Sequence, residues 1–346
     1  MTSYLDSLGE FHEDKKKEVA PRVPEVANLL KTMGKWVDAW PDQETHVNNL
    51  RASQMHEVCP REFVLHYWQP KPNKYFGWKS QFMMGIGSHL HEYIQNAILG
   101  PMGILWGNWE RKAHDVVVTT SDSFHPDPER AIWEITNQKP LSYSYVEPKI
   151  WNNTYRISGH IDGIISLEKV QWLFDNTALV KRNLKDAYKA LMSVKDDPED
   201  RVLFEFKTTG SFVFKKIVGP ESIAPYYKTQ NVIYQANKGV FRTLFWYMNR
   251  DDMRSKAMIY NYEKPLWTEA KRKARIIWKS IRDEVLPDDM KACRLPTDAR
   301  AKKCAYKEEC FGSRFNFTKY VEEGKKLAKE KGRKLLDLSA VIFEGE

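Results

Sequence analysis

The chain of 346 residues lacks long apolar runs, and no stretch approaches the ~18 apolar residues that a membrane-spanning helix needs. Its first 14 residues include four acidic side chains and no apolar signal core, so we expect no secretory or transit peptide. Glycine and proline, 17 of each, follow no period, which excludes collagen-like and low-complexity classes. We therefore expect a soluble protein of the cytoplasm without a membrane partner.

Two further absences exclude particular classes of protein, namely ATP-driven helicases and disulfide-rich scaffolds. No G-x-x-x-x-G-K-[S/T] loop is present, so a helicase acting with this chain would be another protein. The four cysteines are too few for a disulfide scaffold in a chain of this length. With 42% hydrophobic and 13% aromatic residues the chain can bury a core, and its formal net charge of +8 suits a phosphate-rich partner or an ordinary solvated surface.

The hydrophobic pattern predicts an N-terminal helical segment (1–58), a main domain (59–312) and a charged helical C-terminal tail (313–346). Helices are predicted around 25–40, after Cys59, over 82–99, from 226 to about 248, over 266–285 and after Phe317. Strands are predicted over 104–120, 145–167, 201–209 and 256–262, and the lysine- and aspartate-rich stretch 169–200 is interpreted as an insertion. The order α–β–β–β–α–β indicates an α/β fold.

The strand RVLFEFKTT (201–209) places Glu205 and Lys207 on one face, about 6–7 Å apart along the strand. Alone, this pair is typical of a surface ion pair. Upstream, Asp162 interrupts a run rich in β-branched residues in RISGHIDGIIS, where an unpaired carboxylate is costly. Asp162 either shares a divalent cation with Glu205 or caps a turn before Gly163.

Two helical pairs accompany these acids. Gly87 lies one turn before His91 in GSHLHE, and Gln230 shares a helix face with Tyr234. Each pair alone is typical of ordinary packing.

In chain order the four segments read G-x-x-x-H, G-x-x-D, E-x-K and Q-x-x-x-Y: GSHLHE (87–92), GHIDG (159–163), EFKTT (205–209) and QNVIY (230–234). This order resembles the PD-(D/E)xK nuclease superfamily, and within it the RecB-like exonucleases, over about residues 55–312. The resemblance implies a restriction-endonuclease-like αβββαβ core with flanking helices. One departure is the 42 residues between Asp162 and Glu205, a longer gap than usual in that family. The insertion accounts for the excess, and we expect it to form a lobe over or beside the cleft.

The resemblance also implies roles for individual residues. The ligands of Mg²⁺ or Mn²⁺ would be His91, Asp162, Glu205 and the Phe206 carbonyl. Lys207 would orient the attacking water or neutralise charge in the transition state. Gln230 and Tyr234 would position the lysine and a DNA phosphate.

Cys59 stands alone in HEVCPREF, whereas Cys293, Cys304 and Cys310 follow the last amphipathic helix with the spacing C-x10-C-x5-C. The latter three lie in a polar stretch that suits a hydrophobic core poorly. No C-x2–4-C pair of the structural zinc type is present, although zinc and free thiols remain alternatives to a 4Fe–4S cluster.

One cysteine upstream and three downstream resembles the iron–sulfur subset of this nuclease group: the AddB nuclease domain, the CRISPR-adaptation nucleases and the exonuclease V type. This resemblance implies a 4Fe–4S cluster that clamps residue 59 to residues 293–310. The gap of ten residues before Cys304 is longer than the usual two, which puts the second ligand in question.

We therefore expect a metal-dependent DNA exonuclease that acts on single-stranded or resected ends in replication, recombination or repair, with a helicase or recombinase as a candidate partner. The basic helix 269–285 and several aromatic residues supply surfaces suited to single strands: Trp106, Trp109, Trp151 and Tyr226. A catalytically silent scaffold that binds DNA ends is the alternative, although such a scaffold has no need of Lys207 beside the carboxylates. A site-specific endonuclease is disfavoured because the chain has no separate recognition domain.

Overall fold

The computed structural model describes residues 48–71, 78–113, 116–176, 185–194, 200–288 and 293–338. The chain divides into two units, one formed by residues 1–42 and 74–84 and the other by residues 43–73 and 85–346. Only the helical residues 78–84 of the first unit are described. The helix predicted around 25–40 lies outside the described residues.

Strands form two sheets in the second unit. The strands are β1 (Leu50–Arg51), β2 (Leu105–Ala113), β3 (Val116–Ser123), β4 (Tyr143–Val146), β5 (Lys149–Asn152), β6 (Ile157–His160), β7 (Gly163–Ser166), β8 (Arg201–Thr209), β9 (Arg242–Asn249) and β10 (Ser255–Asn261). The larger sheet has the order β10-β9-β8-β7-β2-β3, with β4 also paired to β2, and the smaller has the order β1-β6-β5. In the larger sheet β8 and β9 are parallel, and the other pairs are antiparallel.

Helices cover the larger sheet and join its strands. They are α1 (Pro60–Trp68), α2 (Trp78–Tyr93), which continues as a π-helical turn (Ile94–Leu99), α3 (Pro128–Thr136), α4 (Leu167–Asn176), α5 (Lys185–Met192), α6 (Ser211–Lys216), α7 (Pro225–Lys238), α8 (Lys264–Arg282), α9 (Lys307–Phe311) and α10 (Phe317–Glu330). The prediction of a mixed α/β fold is confirmed. No helix among the described residues is long and apolar enough to cross a membrane.

The central strand β8 has the predicted bounds because its apolar residues alternate between two buried faces. Leu203 packs in one hydrophobic cluster, whereas Phe204 and Phe206 pack in another on the opposite face. This alternation also turns Glu205 and Lys207 toward the Leu203 face, which α7 covers. The strand thus carries two charged groups into the interior.

The helix predicted from 226 to about 248 is wrong in its second half. It ends at Lys238 because Gly239 adopts φ +66°, a left-handed conformation that stops a helix and that glycine tolerates best. The residues after it, RTLFWYMN, are rich in aromatic and β-branched side chains and form β9. The missed strand pairs in parallel with β8 and so completes the centre of the sheet.

The run RISGHIDGIIS does not form one continuous strand. The chain leaves the smaller sheet after β6 and enters the larger sheet at β7, so Ile157 and Ile161 pack in one cluster and Ile165 in the other. Asp162 lies in this break, where its buried carboxylate accepts a hydrogen bond from the Phe206 N–H at 2.8 Å. A buried carboxylate requires such partners, and obtaining them interrupts the strand.

Two other segments differ from their expected form. In the stretch 169–200, Val170, Ala187 and Leu191 are buried in the cluster beneath the sheet, so its described helices form part of the core rather than a separate lobe. Residues 50–51, predicted within a helical segment, instead form β1 and pair with β6.

In the C-terminal tail, Tyr320 donates to the Leu65 carbonyl of α1 at 3.3 Å, which joins α10 to the core.

Candidate metal centre

Four side chains predicted from three motifs meet beside the break between β6 and β7. His91 Nδ1 lies 3.5 Å from Asp162 Oδ2, and Lys207 Nζ lies 3.9 Å from the same oxygen. Lys207 also forms an ion pair with Glu205 Oε1. The carboxylates are deeply buried, with exposures of 7% for Asp162 and 0% for Glu205.

Two elements, α2 and β8, hold three of these side chains in place. His91 lies in the last turn of α2, and Glu205 and Lys207 lie on the α7-facing side of β8. Phe206 contributes through its backbone, which hydrogen-bonds both His91 and Asp162, and its ring contacts the imidazole edge-on at 5.0 Å. The role of the Phe206 carbonyl as a metal ligand remains a prediction.

The buried setting changes the proton affinity of each group. Burial raises the pKa of Asp162 to about 6, and burial together with the Asp162 charge raises the pKa of Glu205. Burial opposes the charged form of Lys207, but the two carboxylates outweigh it and hold the lysine pKa above its usual range. Burial and Lys207 lower the pKa of His91, which favours the neutral imidazole that metals bind.

Glu147 completes a second set of donors that the sequence reasoning missed. Donor atoms of His91, Glu147 and Asp162 all lie within 4.8 Å of one another, the one such group of His, Cys, Asp or Glu in the described part of the chain. Glu147 lies between β4 and β5, and its signal in the sequence was a lone acidic residue before Pro148 in YSYVEPKIW.

Gln95 fixes Glu147 against Asp162. Its buried amide donates to Glu147 Oε1 and to the Asp162 carbonyl, both at 2.9 Å. Gln95 lies in the π-helical turn that follows His91, and such turns occur frequently at functional sites. One helical segment therefore supplies both the imidazole and the amide that orients a carboxylate.

The glycines of two motifs mark close approaches of their neighbours. A Cβ on Gly159 would lie 2.6 Å from the Tyr234 ring, and one on Gly87 would lie 3.3 Å from Thr208 Oγ1. Tyr234 is buried, and its hydroxyl accepts a hydrogen bond from Gln230 Nε2 at 2.9 Å. Burial and the nearby Glu205 charge raise the pKa of Tyr234, which keeps its hydroxyl protonated. The Tyr234 hydroxyl therefore lies near enough to Glu205 for the carboxylate charge to raise its pKa.

The four thiols form a second candidate site. Burial raises the pKa values of Cys293, Cys304 and Cys310, and in each case the nearby Cys59 thiol adds to the rise. Cys59 therefore lies near all three, although 233 residues separate it from Cys293.

Two donors face the sulfur atoms of this site. The Tyr306 N–H donates to Cys304 Sγ at 3.4 Å, and the Arg61 side chain hydrogen-bonds Cys310. Such donors stabilise thiolate charge, as a metal or cluster requires.

We expect the group of His91, Glu147 and Asp162 to bind a divalent cation. Mn²⁺ should then raise the unfolding temperature of the protein more at about pH 8 than at about pH 5, because the ligands must lose their protons to bind it. The Asp162 pKa of about 6 sets the middle of this window. Differential scanning fluorimetry with and without Mn²⁺ measures the shift. Asp162→Asn should remove it, whereas Asp186→Asn, at an exposed acid of α5, should retain it. Equal shifts at both pH values, or a shift retained by Asp162→Asn, would contradict the prediction.

Comparisons with known proteins give little guidance. No family model matches the chain, and no curated protein matches it. The crystal structure of LHK-Exo in complex with dAMP is 13% identical, with 68% of this chain and 89% of that chain covered and a TM-score of 0.34. The crystal structure of SSO0001 is 14% identical, with 73% and 85% covered and a TM-score of 0.29. Both TM-scores are low, and the function of the chain is inferred from the residues of its site alone.

Proposed function

We propose that this chain is a Mg²⁺- or Mn²⁺-dependent deoxyribonuclease with a RecB-like site on a restriction-endonuclease-like core. The proposal rests mainly on the burial and the incomplete pairing of the Glu205 carboxylate. This carboxylate is fully buried, its Oε1 contacts Lys207, and its Oε2 has no hydrogen-bond partner among the described residues. A buried charged oxygen is stable only with compensation, and a divalent cation provides it.

The charge of the site supports the same conclusion. When ionised, Glu147, Asp162 and Glu205 carry three negative charges, and Lys207 is the cation in contact with two of them. With a neutral His91 the remaining double negative charge matches one Mg²⁺ or Mn²⁺. Carboxylates with an imidazole are a ligand set that suits either ion.

We assign a separate role in DNA cleavage to each group of residues. His91, Asp162 and either Glu147 or Glu205 would hold the cation, which supplies an activated water and stabilises charge on the scissile phosphate. Lys207 presents an ammonium that orients that water or binds a phosphate oxygen. Gln230 and Tyr234 support the lysine side of the site, where a neutral hydroxyl can bind phosphate.

We further propose that the substrate is DNA with single-stranded or resected ends, degraded by exonuclease action in replication, recombination or repair. A helicase or recombinase would supply such ends. The formal charge of +8 and the basic residues on α8 support a polyanionic substrate.

The second part of the proposal is a 4Fe–4S cluster held by Cys59, Cys293, Cys304 and Cys310. Two observations support it: Cys59 lies near enough to raise the pKa of each of the other three thiols, and two donors face their sulfurs. A cubane cluster separates its ligands more widely than a single ion does. Its contribution would be structural, since phosphodiester hydrolysis transfers no electron.

The direct test uses end-labelled linear single strands, blunt duplexes and circular single strands, each with Mn²⁺, Mg²⁺ or EDTA. We expect metal-dependent loss of label from linear DNA and no cleavage of circles. Glu205→Gln should be inactive, whereas Glu168→Gln, at an exposed acid of α4, should remain active. If the unmodified protein binds DNA but does not cleave it, the nuclease proposal is wrong and the chain is better described as a DNA-binding scaffold.

A further inference from the structure

Two adjacent tyrosines lead from the candidate catalytic lysine to the protein surface. The Tyr227 ring centroid lies 5.1 Å from Lys207 Nζ, and the Tyr226 centroid lies 4.2 Å from that of Tyr227, with the planes tilted by 56°. Tyr227 is half-buried, whereas Tyr226 is 38% exposed. Tyr226 is thus an exposed ring one aromatic side chain away from Lys207.

The backbone holds both tyrosines in a defined position. They lie in the first turn of α7, where the N–H groups of Tyr227 and Lys228 donate to the Ala224 carbonyl at 2.9 and 3.1 Å. Thr229 Oγ1 donates to the Pro225 carbonyl at 3.1 Å and closes the same turn. A ring mounted on an ordered helical turn loses little conformational freedom when a ligand covers it.

Other exposed aromatic rings differ from Tyr226 in their surroundings. Lys216 lies over the Phe212 ring at 4.0 Å, and Arg156 lies 5.6 Å from the Trp151 ring. Of these three described rings, Tyr226 is the one linked to Lys207 through a single aromatic neighbour. It therefore combines an exposed ring with the proposed phosphate-binding side of the site.

We propose that Tyr226 stacks on an unpaired base next to the phosphate held at Lys207, and that this contact selects single-stranded DNA. The inference rests on the proposed nuclease function and specifies its substrate. Aromatic side chains bind bases by their π-faces without regard to sequence. A base inside a duplex is covered on both faces by its neighbours, so it cannot also stack on a protein ring.

The test measures binding of fluorescent oligonucleotides by anisotropy in a Glu205→Gln background, which keeps the DNA intact. Tyr226→Ala should weaken binding of a single strand by about 5- to 150-fold, the range expected for losing one stacked base. Tyr226→Phe keeps the ring and should bind within about twofold of the parent. Trp133→Ala, which removes a comparably exposed ring on α3, should also leave binding unchanged.

A set of strands with one abasic site at successive positions separates stacking from a general structural effect. At one position the abasic site should weaken binding by the parent and have little effect on Tyr226→Ala, because both changes remove the same contact. If every abasic strand weakens binding equally in both proteins, or if Tyr226→Ala weakens blunt-duplex binding as much as single-strand binding, the inference is wrong. If Tyr226→Ala does not fold, Tyr226→Leu can replace it in the same comparison of intact and abasic strands. Failure here with DNA cleavage intact would leave the nuclease proposal standing, whereas absence of metal-dependent cleavage would remove its basis.

Discussion

Replacing Lys207 with methionine is expected to lower the rate of DNA cleavage by about 10²- to 10³-fold, the usual cost of losing one donor that stabilises transition-state charge. The ammonium contacts Glu205 and lies 3.9 Å from Asp162, so a neutral side chain cannot replace it. Lys207→Arg should also lose most activity, because the planar guanidinium presents its charge in a different geometry. Single-turnover cleavage with saturating enzyme measures the chemical step.

The same substitution should destabilise the folded protein in a pH-dependent manner. Removing one partner of a buried ion pair typically costs about 3–5 kcal/mol. Burial already raises the pKa of Glu205, and loss of Lys207 should raise it further. A carboxyl with a raised folded-state pKa contributes stability at low pH that is lost as the pH rises through that value. Lys207→Met should therefore be closer to the parent at about pH 5 than at about pH 8.

A double variant distinguishes this electrostatic account from a simple packing defect. Glu205→Gln combined with Lys207→Met replaces the buried ion pair with neutral side chains, and should recover stability relative to Lys207→Met alone while remaining inactive. Urea unfolding of the two single variants, the double variant and the exposed control Lys189→Met measures the coupling. Additive losses of stability would show that the pair does not interact as the structure describes.

The site could be predicted from the sequence where local periodicity controls the outcome. Two-residue alternation along β8 placed Glu205 and Lys207 on one face, and helical spacing paired Gln230 with Tyr234. Both patterns arise within one element, so no distant contact is needed to interpret them.

The parts that could not be predicted depend on contacts between distant segments. Glu147 joins His91 and Asp162 only because β4 pairs with β2 and Gln95 reaches across to it. The break at Asp162 likewise arises because the chain changes from the smaller to the larger sheet there. A residue in such a break follows neither the two-residue alternation of a strand nor the spacing of a helix, so neither pattern predicts its position.

The proximity of Cys59 to the three later cysteines is another long-range feature, and it has the second large predicted effect. If Cys304 is a cluster ligand, Cys304→Ser should lower the unfolding temperature by about 3–7 °C, comparable to losing a native cross-link worth about 2–5 kcal/mol. The closed loop spans 233 residues, so the denatured chain gains much freedom when the link is removed. The contact between His66 Nδ1 and the Tyr306 hydroxyl at 2.8 Å would still join α1 to the C-terminal region, so partial rather than complete unfolding is expected at moderate temperature.

Protein purified without oxygen provides the measurements: iron and acid-labile sulfide per chain, the visible absorption of the cluster, and calorimetry. Ala305→Ser, which adds a hydroxyl at an exposed position directly after Cys304, is the matched control and should keep both iron and stability. Zinc without sulfide would identify a different metal site, and a metal-free parent would indicate free thiols. Retention of iron and of the unfolding temperature by Cys304→Ser would remove Cys304 from the ligand set. Loss of both, together with loss of nuclease rate, would mean that the thiol link maintains the fold on which the distant carboxylate site depends.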